Sequence, residues 1–418
     1  MKNTVKTKQA SNSRKREPNL TPLYARSVVN SFGSGMISPF TAYYAVKLGA
    51  SPSEMGWFQS STNISNNLMQ LLWGRLSDRL KRRIPFIVFG GLIVSALWIP
   101  MIFVTSPTQL IMLLAFQALL GSMAIPTWTA LIGDLVHPSK FGRINASINL
   151  WASIGGLVAT LIAGILMMRF TESLQAMFII PLVLAATFGT TASLIMLSVK
   201  EKKTSEKLQL KGRIKQEIRN MTVYAKNTPN FLRYCYVDAV FQFFMSIAWP
   251  VFTITQVKVL SASPLELAIL SIVQTAVTIG FQGWAGRLAD SAGRKPLLIF
   301  FRFALVTVPI TYALAPNIIT IMVVGTFWGF AQALGNASAT AYLLDVAPES
   351  YRGSFIAIYN LIIGVVTFFG SLIGGYMSDY MIGLFGLIVG LQVVYAVSIA
   401  GRSIGAALHL TLTETLKH

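Results

Sequence analysis

The sequence predicts an all-α membrane protein, with twelve transmembrane helices in two parallel six-helix repeats around a central cavity. Three observations carry that reading. Of the 418 residues, 54% are hydrophobic and 12% charged, against about 25% charged in ordinary soluble domains. Stretches almost free of charge recur down the chain, and a helix needs roughly 20 such residues to cross a hydrocarbon core of about 30 Å. Residues 50–83 also align without gaps on residues 262–295.

In chain order, residues 1–21 form a polar, basic tail with no apolar run. Twelve apolar segments follow, near 22–46, 54–77, 84–105, 108–133, 144–168, 174–198, 231–257, 265–288, 296–315, 317–343, 353–378 and 382–409. In lipid such segments satisfy their own backbone hydrogen bonds as helices. When the loops are assigned to alternate sides, about 30 of the 34 Lys and Arg fall on the side holding both chain ends. Lys47, Arg169 and Lys258 lie near the other side. Basic loops are cytoplasmic, so the expected protein is a multi-pass component of the cell membrane with both termini cytoplasmic. The net charge of +19 then reflects topology. It suits anionic lipid headgroups and gives no reason to expect a nucleic-acid partner.

Ten of the 34 aligned positions are identical at an offset of 212, where average residue usage gives about two. They include Ala50/Ala262, Ser51/Ser263, Pro52/Pro264, Glu54/Glu266, Gln70/Gln282, Gly74/Gly286, Asp78/Asp290 and Arg82/Arg294. Outside this block Pro39/Pro250, Lys47/Lys258, Asp134/Asp345, Asn149/Asn360 and Gly164/Gly375 match at 211. The expected division is a tail at 1–21, a six-helix bundle at 22–198, a basic and partly amphipathic linker at 199–230, a second bundle at 231–409 and a tail at 410–418. Parallel repeats of this kind are a transporter architecture.

One motif makes the comparison specific. The loop after segment 2 carries Gly74, Asp78, Arg79, Arg82 and Arg83, and the loop after segment 8 carries Gly286, Asp290, Arg294 and Lys295. Over about residues 22–409, six plus six helices with this paired motif resemble the major facilitator superfamily. Lys81 stands where that family usually has Gly, and Ser291 where it usually has Arg. The resemblance implies a secondary active transporter that moves a small-molecule substrate by alternating access, acts as a monomer and needs no cofactor beyond a coupled proton. It also implies that Asp78 faces the start of helix 11 near residues 351–353, and Asp290 the start of helix 5 near Gly142 and Arg143. There the helix dipole favours a carboxylate by about 0.3–1 kcal/mol. Arg82 and Arg294 are expected to pair with Asp134 and Asp345. Such contacts exist only with the cytoplasmic side closed, so they bias the outward-open state. The plainer account is a basic loop on the cytoplasmic side.

Polar residues are costly inside a span, so their positions are informative. The resemblance places helices 1, 4, 7 and 10 around the cavity, which nominates Asn30, Ser34, Gln117, Trp128, Gln242, Trp249, Trp328, Gln332 and Asn336. It places helices 2, 5, 8 and 11 where the halves meet, which nominates Asn63, Asn67, Asn149, Gln274 and Asn360. Helix-to-helix hydrogen bonding, about 0.6–2 kcal/mol per contact, competes as the reason for the second group. Asp238 is the one acid well inside a span. It is the candidate carrier of a coupled proton, or else a partner for Arg233 or Arg26. Arg302 and Arg402 read as side chains that snorkel along peripheral helices. The cavity is thus expected to hold at most one formal charge, negative. That favours neutral, amphipathic or monocationic solutes over phosphate esters and dicarboxylates, which need Arg or Lys clamps.

Two departures bear on drug–proton exchange. Gln117, four residues before Gly121, stands where such exchangers often have Arg, and SIGGLVATLIAG in helix 5 lacks their Pro. Efflux, uptake and facilitated uniport all stay open. An enzyme is not expected: Gly401–Gly405 spells a serine-nucleophile pattern, but that pattern works on a strand–turn–helix. A transport-inactive receptor or scaffold fits poorly with intact repeats and a polar cavity. Cys235 is the only cysteine, and His137, His409 and His418 are scattered, so neither an internal disulfide nor a metal site is expected.

Overall fold

The computed structural model describes residues 20–80, 82–199, 201 and 228–416, apart from several side chains between 64 and 79 and those of 138 and 350. The basic tail up to 19 and the linker over 202–227 lie outside the described residues. Every regular element among the described residues is a helix. Ten are long and apolar enough to cross a membrane.

Two further segments bring the spans to twelve. Span 1 runs from Thr21 to Lys47 and is broken by a 3-10 turn at Ser38–Phe40. Span 2, Pro52–Leu80, is diluted by its amides and charges. Spans 3 to 6 are Ile84–Phe103, Pro107–Leu135, Pro138–Arg169 and Leu174–Ser198. Spans 7 to 12 are Pro229–Val259, Pro264–Ala292, Arg294–Leu314, Ile318–Val346, Arg352–Phe385 and Leu387–His409. Several run beyond their apolar segments. Span 5 starts at Pro138 rather than 144, and span 11 ends at Phe385 rather than 378, because the helices continue through the headgroup layer. Span 4 is interrupted at Ser122–Met123. Pro126 has no N–H to offer the carbonyl of Ser122, so the helix opens one turn before it.

The repeated residues now have local reasons. Ser51 and Ser263 cap spans 2 and 8, with Pro52 and Pro264 at the first helical position. Glu54 and Glu266 accept from the backbone N–H of Ser51 and Ser263 at 2.9 and 2.7 Å. Each is a capping box, with proline where its missing N–H costs nothing. Offset 211 becomes 212 just after Lys258, and span 7 closes there on a π turn at Thr255–Val259. A turn of that width takes up one extra residue.

Packing repeats with the span number raised by six. Span 1 packs on 5 and 6 as span 7 packs on 11 and 12, and span 2 packs on 4 as span 8 packs on 10. Span 3 packs on 4 and 6 as span 9 packs on 10 and 12. Between the first six spans and the last six, span 2 crosses 11 and span 5 crosses 8. Outward-facing apolar side chains such as Phe103 and Leu314, both 74% exposed, give the lipid-facing surface that a bilayer demands.

The two faces differ. On the face opposite the basic loops, called here the far face, spans 2 and 11 meet through glycine. A Cβ on Gly375 would stand 2.6 Å from the Pro52 carbonyl oxygen and 3.1 Å from Gly56 Cα. Ser53 N–H donates to Asp379 Oδ2 at 3.0 Å, Trp57 Nε1 to Tyr376 Oη at 3.1 Å, and Ser60 Oγ to the Phe368 carbonyl at 2.8 Å. Spans 5 and 8 meet in the same way, with Gly164 against Leu265 and Ala268. Toward the basic face no described residue packs within 4 Å of a Cβ built at Gly142, Gly280, Gly283, Gly286 or Gly353. Among the described residues the tightest glycine contacts between the two halves are therefore those on the far face.

A side chain at Gly375 has only backbone to push against. Gly375→Val is therefore expected to force spans 2 and 11 apart at a cost of about 1–3 kcal/mol. A thiol placed at fully buried Ser60 should then label severalfold faster than in the otherwise native chain. Equal labelling rates would show that glycine does not set this seal.

Candidate functional site

A cavity of about 570 Å³ opens among spans 1, 2, 3, 4 and 6. Span 1 supplies Arg26, Asn30, Ser34 and Ser38, each four residues on from the last, and Thr41 beyond them. That spacing keeps one face of a helix toward one side. Phe58, Val94, Trp98, Leu114, Gln117 and Trp128 are among the residues of the remaining wall. Gln117 Nε2 donates to the Val94 carbonyl at 3.0 Å, which ties span 4 to span 3. Gly121 lets the two helices approach, since a Cβ there would lie 2.6 Å from Val94 Cγ2. A second hollow of about 450 Å³ lies where spans 1, 5 and 8 meet, lined by Ser31, Ser34, Asn149, Ser153, Thr160, Ser271 and Thr275 among others. The structure therefore brings Asn30, Ser34, Gln117 and Trp128 together, with Asn149 next door.

Other nominated residues sit elsewhere. Trp328 is buried inside the last six spans, where Nε1 donates to Thr307 Oγ1 at 3.0 Å and the indole stacks over Tyr312. Gln274 fills the crossing of spans 8 and 10 against Gly325 and Gly329. Gln332 Nε2 donates to exposed Asn336 Oδ1 at 2.7 Å. Asn63 Nδ2 donates to the Gln59 carbonyl of its own helix at 2.9 Å. Gln242, Trp249 and Asn360 line neither hollow. The side chain of Asn67 lies outside the described residues.

The expected charge of the cavity is corrected. Asp238 is fully buried and faces into the last six spans. It forms an ion pair with Arg302 of span 9, accepts from Tyr359 Oη of span 11 at 2.6 Å, and lies 3.5 Å from His409 Nε2 of span 12. Neither Arg233 nor Arg26 is its partner. Arg302 and Arg402 do not snorkel, being 3% and 1% exposed. The guanidinium of Arg302 also lies over the Phe241 ring, 4.8 Å from its centroid. Arg402 donates to the carbonyls of Leu305 and Met245 at 2.8 and 3.0 Å. The charged residue that does line the cavity is a cation, Arg26, with Cζ 4.2 Å from the centroid of Trp128. Within the two hollows no other described residue carries a formal charge, so a monocationic solute loses its expected partner. No group of His, Cys, Asp and Glu among the described residues could hold a metal.

The basic loops show a related pattern at their exits. Arg294 pairs with Asp345 at 3.1 Å, as the repeat implies. In the first half the partner of Asp134 is Arg83, at 3.5 Å, and not Arg82. Arg83 turns inward, donating to Ser77 Oγ at 2.9 Å, while Arg82 is exposed. Asp290 is 76% exposed and reaches Arg294 at 3.3 Å, so it does not meet span 5 in this state. The side chains of Asp78 and Arg79 lie outside the described residues. A feature the motif gives no hint of is an acid placed just after each sixth span. Glu201 accepts from the backbone N–H of Arg83 at the start of span 3. Glu414 accepts from the backbone N–H groups of Arg294 and Lys295 at the start of span 9, both at 3.0 Å. Burial pushes the Glu414 carboxyl up, but the N–H groups of Leu416, Arg294, Lys295 and Thr415 outweigh it and hold the group below the ordinary glutamate range.

Comparison with known proteins places this geometry. The family model described as Major Facilitator Superfamily matches residues 24–245 and 234–407. An uncharacterized MFS-type transporter of Methanocaldococcus jannaschii is 22% identical over 396 residues, covering 91% of this chain and 94% of the relative. A putative niacin/nicotinamide transporter of Bacillus subtilis is 24% identical over 357 residues, covering 84% and 83%. Among solved structures, the nucleoside transporter NupG superposes with a TM-score of 0.69 at 14% identity, over 94% of this chain and 99% of that one. The D-xylose-proton symporter gives 0.66 at 15%, over 95% and 98%. At these identities the superpositions speak for the fold.

The knot around Asp238 makes a stability prediction. Asp238→Asn leaves Arg302 buried without its carboxylate, and breaking a buried pair from one side costs about 3–5 kcal/mol. The melting temperature should fall by several degrees, and the double variant Asp238→Asn, Arg302→Gln should recover most of the loss. Equal stabilities for the native and single-variant chains would remove the structural role.

Proposed function

The chain belongs to the Major Facilitator Superfamily, and from that premise we propose that it is a secondary active transporter moving a small organic solute across the cell membrane by alternating access. One observation carries the reading. The spans lean together on the far face through Gly56, Gly375 and Gly164, while a partly polar cavity opens among spans 1, 2, 3, 4 and 6 and a second hollow lies where spans 1, 5 and 8 meet. With the basic face taken as cytoplasmic, this is an inward-open state. The cavity is of a size that holds small-molecule ligands, about 300–1,000 Å³. The names of relatives point the same way, to small solutes such as niacin or nicotinamide. In this reading the protein is a transporter rather than an enzyme, acts as a monomer, needs no cofactor and sets its basic face against anionic lipid.

The motif acids act as the latch of the opposite state. Asp290, exposed here, meets the N-terminal end of span 5 when the basic face closes. Asp78, its counterpart in the repeat, meets the start of span 11. Each meeting stabilises the outward-open form through the helix dipole.

A second reading concerns the driving force. Asp238 breaks the repeat, since Ser27 is its counterpart at offset 211. His409, in the last turn of span 12, is buried with its Nε2 3.5 Å from the carboxylate. This arrangement supports proton coupling through Asp238, with a uniporter as the alternative. The stable double variant Asp238→Asn, Arg302→Gln should then exchange solute across vesicle membranes yet fail to concentrate it. Concentration at native levels would assign coupling elsewhere.

The transport reading is tested with purified protein in vesicles, using a solute chosen by a thermal-shift screen. Asp78→Asn and Asp290→Asn should lower flux severalfold, express near normally and shift accessibility toward the inward-open pattern. Unchanged flux and accessibility would contradict the latch. Binding without any flux in the native chain would point to a receptor or scaffold.

A further inference from the structure

Arg26 is a cation left without a partner at the place where a solute would sit. It stands five residues past Thr21, roughly 7.5 Å along the axis of span 1, and lines the 570 Å³ cavity. The other buried or half-buried arginines among the described residues are matched. Arg83, Arg294 and Arg302 each hold a carboxylate, and Arg402 holds two backbone carbonyls. Among the described residues no acid lies within salt-bridge distance of Arg26 and no acceptor takes its N–H groups. Its guanidinium lies over the ring of Trp128. Stacking on the indole fixes the guanidinium plane but leaves the edge free. That edge is a planar fork of donors matching a carboxylate.

The rest of the cavity says what the anion is attached to. Asn30 and Ser34 continue the polar face of span 1, and Gln117 uses one amide N–H on Val94, leaving its second N–H and its oxygen for a solute. Beyond them the wall is Phe58, Leu114 and Trp98. An acidic end is met at Arg26, a few hydrogen bonds follow, and an apolar or aromatic body is enclosed deeper in. With one cation in the wall, a second anionic group would be unpaired in low dielectric, which is costly. A cationic solute would face Arg26 directly.

Resting on the transporter reading, we propose that the cavity recognises an organic monoanion, with its carboxylate on the Trp128-stacked guanidinium of Arg26 and its apolar body directed toward Trp98. The test uses the full chain in lipid nanodiscs and matched probes: benzoate, benzamide and benzylamine, then hexanoate, hexanamide and hexylamine. At least one carboxylate should bind, and its amide and amine should bind at least about tenfold more weakly, the scale of one charge-assisted contact. Arg26→Gln should lose that preference, Arg26→Lys should keep part of it, and both should melt near the native temperature without probe. Amide or amine binding equal to the acid overturns the proposal. So does acid binding unchanged in Arg26→Gln, or no binding by either acid. Vesicle flux separates this from the reading beneath it. Arg26-dependent acid binding without flux would sink transport and leave the site. Flux of a neutral or cationic solute unaffected by Arg26→Gln would sink the site and leave transport.

Discussion

A polar or charged group inside a bilayer must find its partner inside the protein, because lipid offers none. Much of this structure follows from that constraint. Backbone groups are satisfied within helices, and the N–H groups at helix starts are met by caps: Ser51 with Glu54, Ser263 with Glu266, Glu201 at span 3 and Glu414 at span 9. The acid in span 7 is matched by a cation from span 9 and a phenol from span 11. The second buried cation, Arg402, is met by two carbonyls. Since helix association in lipid gains little from hydrophobicity, close approach relies on small residues, which is the role of Gly56, Gly375 and Gly164 on the far face. Against this background an unmatched Arg26 facing a cavity is informative, because its partner is expected to arrive from outside.

Much of the fold was legible in the sequence, for physical reasons that differ by feature. Hydropathy located the spans because lipid demands long apolar runs, and it missed their ends because helices continue into the headgroup layer. The repeat at offset 212 was visible because caps and tight crossings tolerate few residue types. Polar side chains were harder to place. Asn30, Ser34, Gln117 and Trp128 do share a cavity, yet Trp328 and Gln274 point into their own bundle. Nothing in the period of spans 8 or 10 separates a polar face turned to a neighbouring helix from one turned to a cavity. The largest misreading concerned charge. Arg302 and Arg402 lie near a basic face, so snorkelling was the natural expectation, and only the three-dimensional arrangement shows spans 7, 9 and 12 closing over them. Asp238 then ceases to be the charge of the cavity, and Arg26, which counts as one more basic residue near a cytoplasmic helix start, takes that place. The choice of Arg83 over Arg82 as the partner of Asp134 was likewise a matter of which side chain turns inward at a helix start.

The two halves touch where they can also separate. Spans 2 and 11, and spans 5 and 8, are pressed together on the far face through Gly56, Gly375 and Gly164, and among the described residues Gly142, Gly280, Gly283, Gly286 and Gly353 toward the basic face have no such contact. Asp290 stands exposed toward the basic face, and in the proposed latch it meets the start of span 5 on closure. If the proposed transporter alternates between two packings, a bound solute shifts their balance only through a difference in affinity for the two. The knot of Asp238, Arg302, Tyr359 and His409 lies wholly within one half and ties spans 7, 9, 11 and 12 to one another.

The central claim is that the halves rock about this contact, opening one face as the other closes. Spin-label distances across the halves test it most directly. One pair would sit on the basic face at exposed Arg143 and Arg287, and the other on the far face at exposed Arg169 and Ser261. The account predicts a broad distribution for each pair, with populations that move in opposite directions when Asp290→Asn or a bound solute is introduced: longer on the basic face whenever shorter on the far face. Distances that stay fixed at both faces, or that lengthen and shorten together, would contradict it.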